Sequence, residues 1–255
     1  MSNEFLTTTS NGFYCEPGQF YIDPIRPVEL ACITHGHADH ARYGMGHYIS
    51  THETADIMQK RISKDISITR LDYYEKKSFS SVDVMFIPAG HILGSAQVVI
   101  ESKNQRAIVT GDYKISADST VEPFQHMDCD LLVTESTFAL PCYHWPPQES
   151  VIADIESFWK TNQTKGLHTV LYAYSLGKAQ RLLAAINSEI GPIAVHGAVE
   201  TMNQIYIKHG RLKTDSQKLT SDYLKSWSKP GLIIAPPSTQ GSSWLKKLVE
   251  YREGY

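Results

Sequence analysis

Apolar residues in the first half of the chain form short runs, and many of these runs end in a polar residue. The runs are rich in β-branched residues and lie at 30–34, 66–68, 82–87, 97–100, 107–109 and 131–134. The turn-forming pairs Asn11-Gly12 and Pro17-Gly18 separate shorter apolar stretches near the start. This pattern predicts a strand-rich region. We also expect a helix between His52 and Ile62, and a second helix that begins near Asp39.

The pattern changes after Pro146-Pro147, where strand-like runs alternate with helical spacing. Five apolar residues recur at helical spacing between 148 and 161, namely Val151, Ile152, Ile155, Phe158 and Trp159. They predict a helix whose apolar stripe packs into a core. Further strands are predicted at 170–173, 192–195 and 232–235, and further helices at 176–186 and 199–207. Because such alternation is typical of a parallel α/β unit, we divide the chain into domains at 1–147 and 148–255.

One loop carries an unusual density of side chains that can bind metal. Residues 34–40 read Thr-His-Gly-His-Ala-Asp-His and directly follow the predicted strand at 30–33. His35, His37, Asp39 and His40 supply imidazole and carboxylate groups, which suit zinc, manganese or iron. The alternative is a polar turn with incidental histidines, which does not explain four potential ligands within six positions. The loop therefore predicts a metal site at the end of a strand.

The spacing His-x-His-x-Asp-His is the signature of the metallo-β-lactamase superfamily, and this loop resembles it in full. The resemblance implies further ligands in a fixed order along the chain. His91 follows the strand at 82–87 and Asp112 follows the strand at 107–109, and both match the downstream ligands. Asp23, at the end of an early strand, matches an aspartate that usually supports the site. The implied fold class is α/β, a metallo-β-lactamase αββα sandwich.

Such a ligand set is suited to two divalent metal ions, zinc or, as an alternative, manganese. The expected ligands are His35, His37, Asp39, His40, His91 and Asp112. The histidines at 35, 37 and 91 would hold one ion, Asp39 and His40 would hold the other, and Asp112 would bridge them. Paired ions activate water and hold a phosphoryl oxygen. Asp39 and Asp112 are therefore also expected to be catalytic.

Other segments point to a narrower resemblance. They lie at 12–28, 134–147, 173–181, 195–200 and 231–243, and include Thr134-Glu135-Ser136-Thr137-Phe138 and Ala173-Tyr174-Ser175-Leu176-Gly177-Lys178. Together they resemble the DNA ligase-associated exonuclease family. Its members are β-CASP-type nucleases related to Artemis and to the messenger-RNA 3′-end processing nuclease. The resemblance implies an inserted β-CASP-like α/β cap and a nucleic-acid substrate.

Four residues of these segments are further site candidates, each with a structural alternative. Glu135 could orient a ligand or position phosphate, but a lone acid at a strand end is often structural. His196 could contact the scissile phosphate or protonate the leaving oxygen, or only satisfy local hydrogen bonds. Ser175 and Lys178 could bind substrate phosphate at a helix N-terminus, or be an ordinary cap with a surface lysine.

The family resemblance implies a metal-dependent nuclease, specifically a DNA exonuclease in DNA repair, with a DNA ligase and a repair helicase as partners. Two other interpretations stay open, a metallo-hydrolase of small thioesters or lactams and an inactive form that binds nucleic acid. Family members continue beyond the late turn with another ligand histidine and a final strand, whereas this chain ends at Tyr255. We therefore expect the C-terminal lactamase strands to be missing and the second metal to bind more weakly.

Composition sets limits on these expectations. The 255 residues carry a net charge of −3, so nucleic-acid binding must come from a local patch or from the metals. The four cysteines are dispersed, which indicates reduced thiols. The sequence shows no signal-peptide pattern and no apolar run near the roughly 20 residues that span a bilayer. We therefore expect a cytoplasmic protein that does not contact membranes.

Overall fold

The computed structural model of the protein describes residues 5–103 and 105–244. The chain divides into two compact units, Met1–Pro141 and Cys142–Tyr255. The first unit consists mainly of strands, and the second alternates strands with helices. Within the described ranges, no helix is both long enough and apolar enough to cross a bilayer.

A six-stranded mixed sheet forms the first layer of Met1–Pro141. Its strands in spatial order are β1 (Leu6–Thr9), β2 (Gly12–Cys15), β3 (Phe20–Ile22), β4 (Leu30–Cys32), β5 (His47–Thr51) and β6 (Ile68–Leu71). β1 to β3 pair antiparallel, and β3 to β6 pair in parallel. Helix α1 (His52–Arg61) connects β5 to β6 and is capped by Thr51, which accepts the N–H of Thr54.

A five-stranded mixed sheet forms the second layer. Its strands in chain order are β7 (Lys77–Phe79), β8 (Val82–Pro88), β9 (Ala96–Glu101), β10 (Arg106–Val109) and β11 (Leu131–Val133). They lie in the order β11-β10-β9-β8-β7, and only the β10–β11 pair is parallel. The predicted strands of this region are confirmed, although β6 begins later than predicted. The delay arises because Ile66 still donates to the carbonyl of Ser63 in a turn.

The two sheets pack face to face around one buried apolar cluster. The cluster takes alternate residues from both sheets, including Phe20, Ile22, Cys32 and Ile49 from the first and Val84, Phe86, Val98 and Ile100 from the second. The outer face of the first sheet packs against Met58 of α1. The buried face fixes the register of each strand, and therefore fixes where each strand ends.

The prediction of a helix that begins near Asp39 is wrong, because residues 36–40 form bends and a single turn. Ala41 donates its N–H to the carbonyl of His37 at 2.8 Å, as in one helical turn. The Arg42 side chain then donates to the carbonyl of Asp39 at 3.1 Å, and this carbonyl is one that a continuing helix would need. The loop therefore makes a single turn and does not continue as a helix.

The second unit is built around a four-stranded sheet in which all strand pairs are parallel. Its strands are β12 (Thr169–Tyr172), β13 (Ile193–Val195), β14 (Gln217–Lys218) and β15 (Leu232–Ala235), in the spatial order β12-β15-β13-β14. Its helices are α2 (Gln148–Thr164), α3 (Lys178–Ala185), α4 (Gly197–Lys208) and α5 (Ser221–Lys225). The parallel α/β unit predicted from the alternation of elements is confirmed.

The apolar stripe predicted for α2 is only partly buried. Trp159 is fully buried, but Val151 and Phe158 are 38% and 57% exposed. The helix is anchored along the narrow side that carries Trp159, where Asn162 donates to the Thr169 hydroxyl and Gln163 donates to backbone carbonyls. The prediction that the whole stripe packs into the core is therefore wrong.

Candidate metal centre

Loops that follow strands of both sheets bring four of the predicted ligands together. The histidine loop follows β4 of the first sheet, whereas His91 and Asp112 follow β8 and β10 of the second. The sheets are joined at this point by the N–H of Ala96, which donates to the carbonyl of Thr34 at 2.8 Å. Strand ends of the two sheets therefore meet at one edge, and the ligands meet there with them.

Glycine precedes each of the two ligands from the second sheet. Gly90 has φ +74° and Gly111 has φ +56°, in the left-handed region that favours glycine. A Cβ on Gly90 would lie 2.3 Å from the carbonyl oxygen of Lys114, and one on Gly111 would lie 2.6 Å from the Thr34 Cβ. These glycines therefore allow the chain to turn and to approach its neighbours closely just before each ligand.

Four ligand atoms converge on one point, contributed by His35, His37, His91 and Asp112, all within 4.8 Å of one another. His37 Nδ1 lies 3.1 Å from His35 Nε2 and 3.3 Å from His91 Nε2. Asp112 Oδ2 lies 3.8 Å and 3.6 Å from the same two Nε2 atoms. Ligands about 2.0–2.2 Å from a tetrahedral zinc ion lie about 3.3–3.6 Å apart, so the spacing fits such an ion.

His40 and Asp39 lie next to this group but face the other oxygen of Asp112. His40 Nε2 is 3.3 Å from Asp112 Oδ1 and 3.8 Å from Asp39 Oδ2. The Asp39 side chain is mostly exposed, whereas that of His40 is mostly buried. Asp112 thus presents one oxygen to His35 and His91 and the other to His40, which is the arrangement that a carboxylate shared by two metal ions requires.

Hydrogen bonds from Asp23 and Thr34 fix the orientation of the histidines. Asp23 Oδ1 accepts the Thr34 N–H at 2.8 Å, and its Oδ2 accepts the Thr34 hydroxyl at 2.5 Å and His40 Nδ1 at 2.7 Å. Because the Thr34 hydroxyl donates to Asp23, its oxygen accepts from His35 Nδ1, 3.0 Å away. The Nε2 atom of His35 is then left unprotonated and able to bind metal.

Burial keeps two of the four imidazoles in the neutral form that binds metal. Burial, together with the neighbouring His40, His37 and His91, holds the pKa of His35 well below its usual range. Burial and His37 lower the pKa of His91 to about 4, so both imidazoles are neutral at pH 7. Burial also acts to lower the pKa of His40, but hydrogen bonds with Asp112 and Asp23 outweigh it and raise that pKa to about 10.

The charge on the carboxylate complements these imidazoles. The hydrogen bond with His40 lowers the pKa of Asp112 more than burial raises it, so this carboxylate is ionised at neutral pH. Neutral imidazoles and an ionised carboxylate are the forms that coordinate divalent metal. His40 and Asp112 compensate each other's charge as an ion pair.

Two residues that sequence reasoning did not select also hold the histidine loop. Thr34 links Asp23 to His35, and Arg61 on the last turn of α1 donates from Nη1 to the carbonyl of Gly36 at 2.6 Å. Burial lowers the pKa of Arg61, and the charge of Asp39 opposes that effect. The spacing of the loop carries no signal for Arg61, because the contact arises from how α1 packs.

Glu135 lies near the ligands without joining the group of converging atoms. It follows β11, and its Oε1 accepts the N–H of Tyr113, the residue after Asp112, at 3.0 Å. Its charge also acts on the imidazole of His91 and opposes the lowering of that pKa. Glu135 therefore holds the backbone that carries Asp112.

The remaining predicted site residues lie in the second unit. His196 is the N-cap of α4, where its Nδ1 accepts the N–H of Ala198 at 3.1 Å, and its ring contacts Trp244. Burial and Lys218 lower its pKa. Ser175 accepts a hydrogen bond from Gln180 through its backbone carbonyl, and Lys178 is the first residue of α3. A catalytic role for His196 and substrate binding by Ser175 and Lys178 remain predictions.

Comparison with known proteins gives several relatives, although no family model matches the chain. A protein named probable DNA ligase from Opitutus terrae is 25% identical over 95% of this chain and 24% of its own length. An RNase J-like protein from Methanocaldococcus jannaschii is 25% identical over 72% of this chain and 51% of its own. Endoribonuclease YSH1 from Gibberella zeae is 27% identical over 68% of this chain and 25% of its own.

The solved structures include a similar fold, a protein of unknown function from Enterococcus faecalis V583. It has a TM-score of 0.58 at 12% identity and covers 81% of this chain and 58% of its own. The chain spans about half or less of the length of the three curated relatives named above. Two of these relatives carry the names of nucleases and the third is named a DNA ligase, and together they confirm the family resemblance predicted from the sequence.

Proposed function

We propose that this protein is a metal-dependent nuclease that hydrolyses phosphodiester bonds in DNA. The observation that carries the proposal is the convergence of His35, His37, His91 and Asp112, whose ligand atoms all lie within 4.8 Å of one another. The naming of two relatives as RNase J-like and endoribonuclease supports the same reaction class. An exonuclease role in DNA repair in the cytoplasm, with a DNA ligase and a repair helicase as partners, belongs to this proposal.

The proposed architecture is a metallo-β-lactamase sandwich with a β-CASP-like α/β cap formed by the second unit. Two mixed sheets packed face to face support the sandwich. The parallel four-stranded sheet with its helices supports the cap. We keep the domain division predicted from the sequence as part of this proposal.

The proposed cofactors are two divalent metal ions, zinc or manganese. His35, His37, His91 and one oxygen of Asp112 would hold the first, and Asp39, His40 and the other oxygen of Asp112 would hold the second. When bound, such ions supply Lewis acidity and lower the pKa of water towards about 7.

The surrounding residues prepare this site before substrate arrives. Asp23 orients His40 through its Nδ1 and, by way of Thr34, selects the tautomer of His35. Arg61 holds the carbonyl between the first two histidines, and Glu135 holds the backbone after Asp112. Preorganised side chains need not be ordered when substrate binds, which lowers the barrier to reaction.

DNA is the proposed substrate because the relative named probable DNA ligase aligns with 95% of this chain. RNA is the second candidate, and the names of the RNase J-like and endoribonuclease relatives favour it. The two candidates differ at the 2′-hydroxyl of the sugar, which proteins can use to distinguish RNA from DNA.

End-labelled DNA and RNA of the same sequence, incubated with zinc or manganese, test the proposal. We expect metal-dependent cleavage of DNA, with shortening from an end, and loss of activity in His37→Ala. His126→Ala is the matched control, because His126 is exposed and belongs to no ligand group among the described residues. Cleavage of RNA but not of DNA would identify RNA as the substrate. Inertness on both nucleic acids, together with turnover of a thioester or lactam reporter, would contradict the nuclease proposal.

A further inference from the structure

Two arginines of the first unit donate hydrogen bonds to the backbone of the histidine loop. Arg61, the last residue of α1, donates from Nη1 to the carbonyl of Gly36 at 2.6 Å, between the first two histidines of the loop. Arg42 donates from Nε to the carbonyl of Asp39 at 3.1 Å. Both arginines are exposed residues. Each guanidinium therefore lies against the stretch of backbone that carries the candidate metal ligands.

Neither of these arginines forms an ion pair along residues 5–103 and 105–244. No carboxylate oxygen of these residues lies within 4.0 Å of either guanidinium. Two other arginines of the same unit behave differently, since Arg70 pairs with Asp56 at 2.7 Å and Arg106 pairs with a glutamate at 2.7 Å. A backbone carbonyl accepts a hydrogen bond but carries no net charge, and the end of a helix offsets a cation only in part. The two charges at the histidine loop are therefore not paired directly.

Arg61 is close enough to the candidate ligands for their charges to interact. Beyond burial and the neighbouring imidazoles, the charge of Arg61 contributes to holding the pKa of His35 below its usual range. Burial lowers the pKa of Arg61 itself, and the charge of Asp39 opposes that effect. The guanidinium therefore lies near one expected ligand of each of the two metal ions.

The backbone at Arg42 is anchored by a buried tyrosine. The Tyr48 hydroxyl donates to the carbonyl of Arg42 at 2.7 Å and accepts the N–H of Met45 at 3.2 Å. Tyr48 is itself 1% exposed. The bond from Nε to the loop is a second anchor, and it uses neither of the Nη atoms. Those two atoms form the edge of the guanidinium that can bind a phosphate through parallel hydrogen bonds.

Unpaired positive charge beside a metal centre opposes the binding of metal cations and favours the binding of an anion. Like charges raise each other's free energy, most of all where water is partly excluded. A phosphodiester strand reverses the sign of this interaction, because every phosphate brings a negative charge that attracts both the metal ions and the guanidinium groups. Arginine is also the side chain whose planar fork matches the oxygens of a phosphate.

We propose that Arg61 and Arg42 are substrate-binding residues that hold phosphates of a nucleic-acid strand at the metal centre. The proposal rests on the proposed nuclease function and specifies what the centre recognises in its substrate, namely the charged backbone of the strand. Because the phosphates are alike at every position, these contacts place the strand without reading its sequence.

Binding of a fluorescent oligothymidylate to the whole protein in EDTA, measured by anisotropy, tests the two arginines without cleavage. We expect Arg61→Gln and Arg42→Gln each to weaken binding by about tenfold, because each loses hydrogen bonds to a charged group. Each should also lower the slope of log affinity against log salt concentration by about 0.7 for a lost phosphate contact. Lys60→Gln is the matched control, since Lys60 is exposed and directly precedes Arg61 on α1. It removes the same charge and should change binding by less than about twofold.

Zinc affinity separates phosphate binding from mere support of the loop. Competition with a chromophoric chelator should give each glutamine variant a zinc affinity within about threefold of the wild type or tighter, because removing a nearby positive charge does not repel the ion. A zinc affinity that falls as far as the affinity for the oligonucleotide would show that the arginines only support the loop. Unchanged circular dichroism shows that each variant is folded.

Three further results would overturn the phosphate-binding role. They are unchanged oligothymidylate binding in both variants, weaker binding with an unchanged salt slope, or no binding by the wild type. The nuclease proposal is decided separately by metal-dependent cleavage. Cleavage with unchanged binding in both variants would reject only the role of the arginines, whereas the expected loss of binding without any cleavage would reject only the nuclease.

Discussion

The two units differ in how firmly their candidate functional residues are held. In the first, ligands are fixed by contacts from other elements, since Asp23 alone accepts three hydrogen bonds from Thr34 and His40. In the second, the candidate residue Lys178 is exposed. Under the proposed function, the first unit would supply a preorganised metal centre and the second unit would contact the substrate. Substitutions in the first unit should then affect metal binding and stability.

Two neighbouring residues of α2 should give the largest contrast in stability. Trp159→Ala removes a fully buried ring and should lower the free energy of unfolding by about 3–5 kcal/mol. Phe158→Ala removes a ring that is 57% exposed and should change it by about 0.5 kcal/mol or less. Urea unfolding followed by circular dichroism measures both. Equal losses would mean that the exposed side of α2 is packed after all.

Alanine substitution at a left-handed glycine should cost more stability beside the metal centre than in an open turn. Gly111→Ala combines an unfavourable φ of +56° with a close approach to Thr34, so it should cost about 3 kcal/mol and weaken metal binding. Gly210→Ala has φ +70° but open space around the new Cβ, so it should cost about 1 kcal/mol. Thermal unfolding with and without zinc measures the two effects. A larger cost at Gly210 would contradict the importance of the close approach.

Asp23→Asn should have a smaller effect, and the property it changes should be the affinity for metal. The variant keeps the shape of the side chain but removes the charge that orients His40 and Thr34. Loss of such supporting hydrogen bonds typically weakens metal affinity about 10–100-fold. Competition for zinc with a chromophoric chelator measures this affinity, and Asp72→Asn, at a highly exposed carboxylate, is the matched control. If the two variants bind zinc equally well, Asp23 has no supporting role.

The residues of the metal centre could be recognised in the sequence because their signal is local. His35 and His37 lie in a loop dense in potential ligands. His91 and Asp112 each follow an apolar strand. The strand that precedes each loop is equally evident, because a strand buried on both faces has a short continuous run of apolar residues.

What the sequence did not predict depends on contacts between distant residues. The hydrogen bond from Arg42 to the Asp39 carbonyl, where a helix was expected, leaves no periodic signal, and neither does the contact of Arg61 with Gly36. The apolar spacing of α2 correctly predicts a helix, but it cannot tell which neighbours cover Phe158. Burial on a helix is decided by the packing partner, which hydrophobic periodicity does not identify.

Anomalous diffraction from zinc-loaded crystals would locate the bound metal ions. We predict a zinc ion bonded at about 2.0–2.2 Å to His35 Nε2, His37 Nδ1, His91 Nε2 and Asp112 Oδ2. We also predict a second, weaker peak beside Asp39 and His40, on the side of Asp112 Oδ1. Zinc bound elsewhere, or zinc-soaked crystals with these four side chains ordered and no peak between them, would contradict the proposed metal centre.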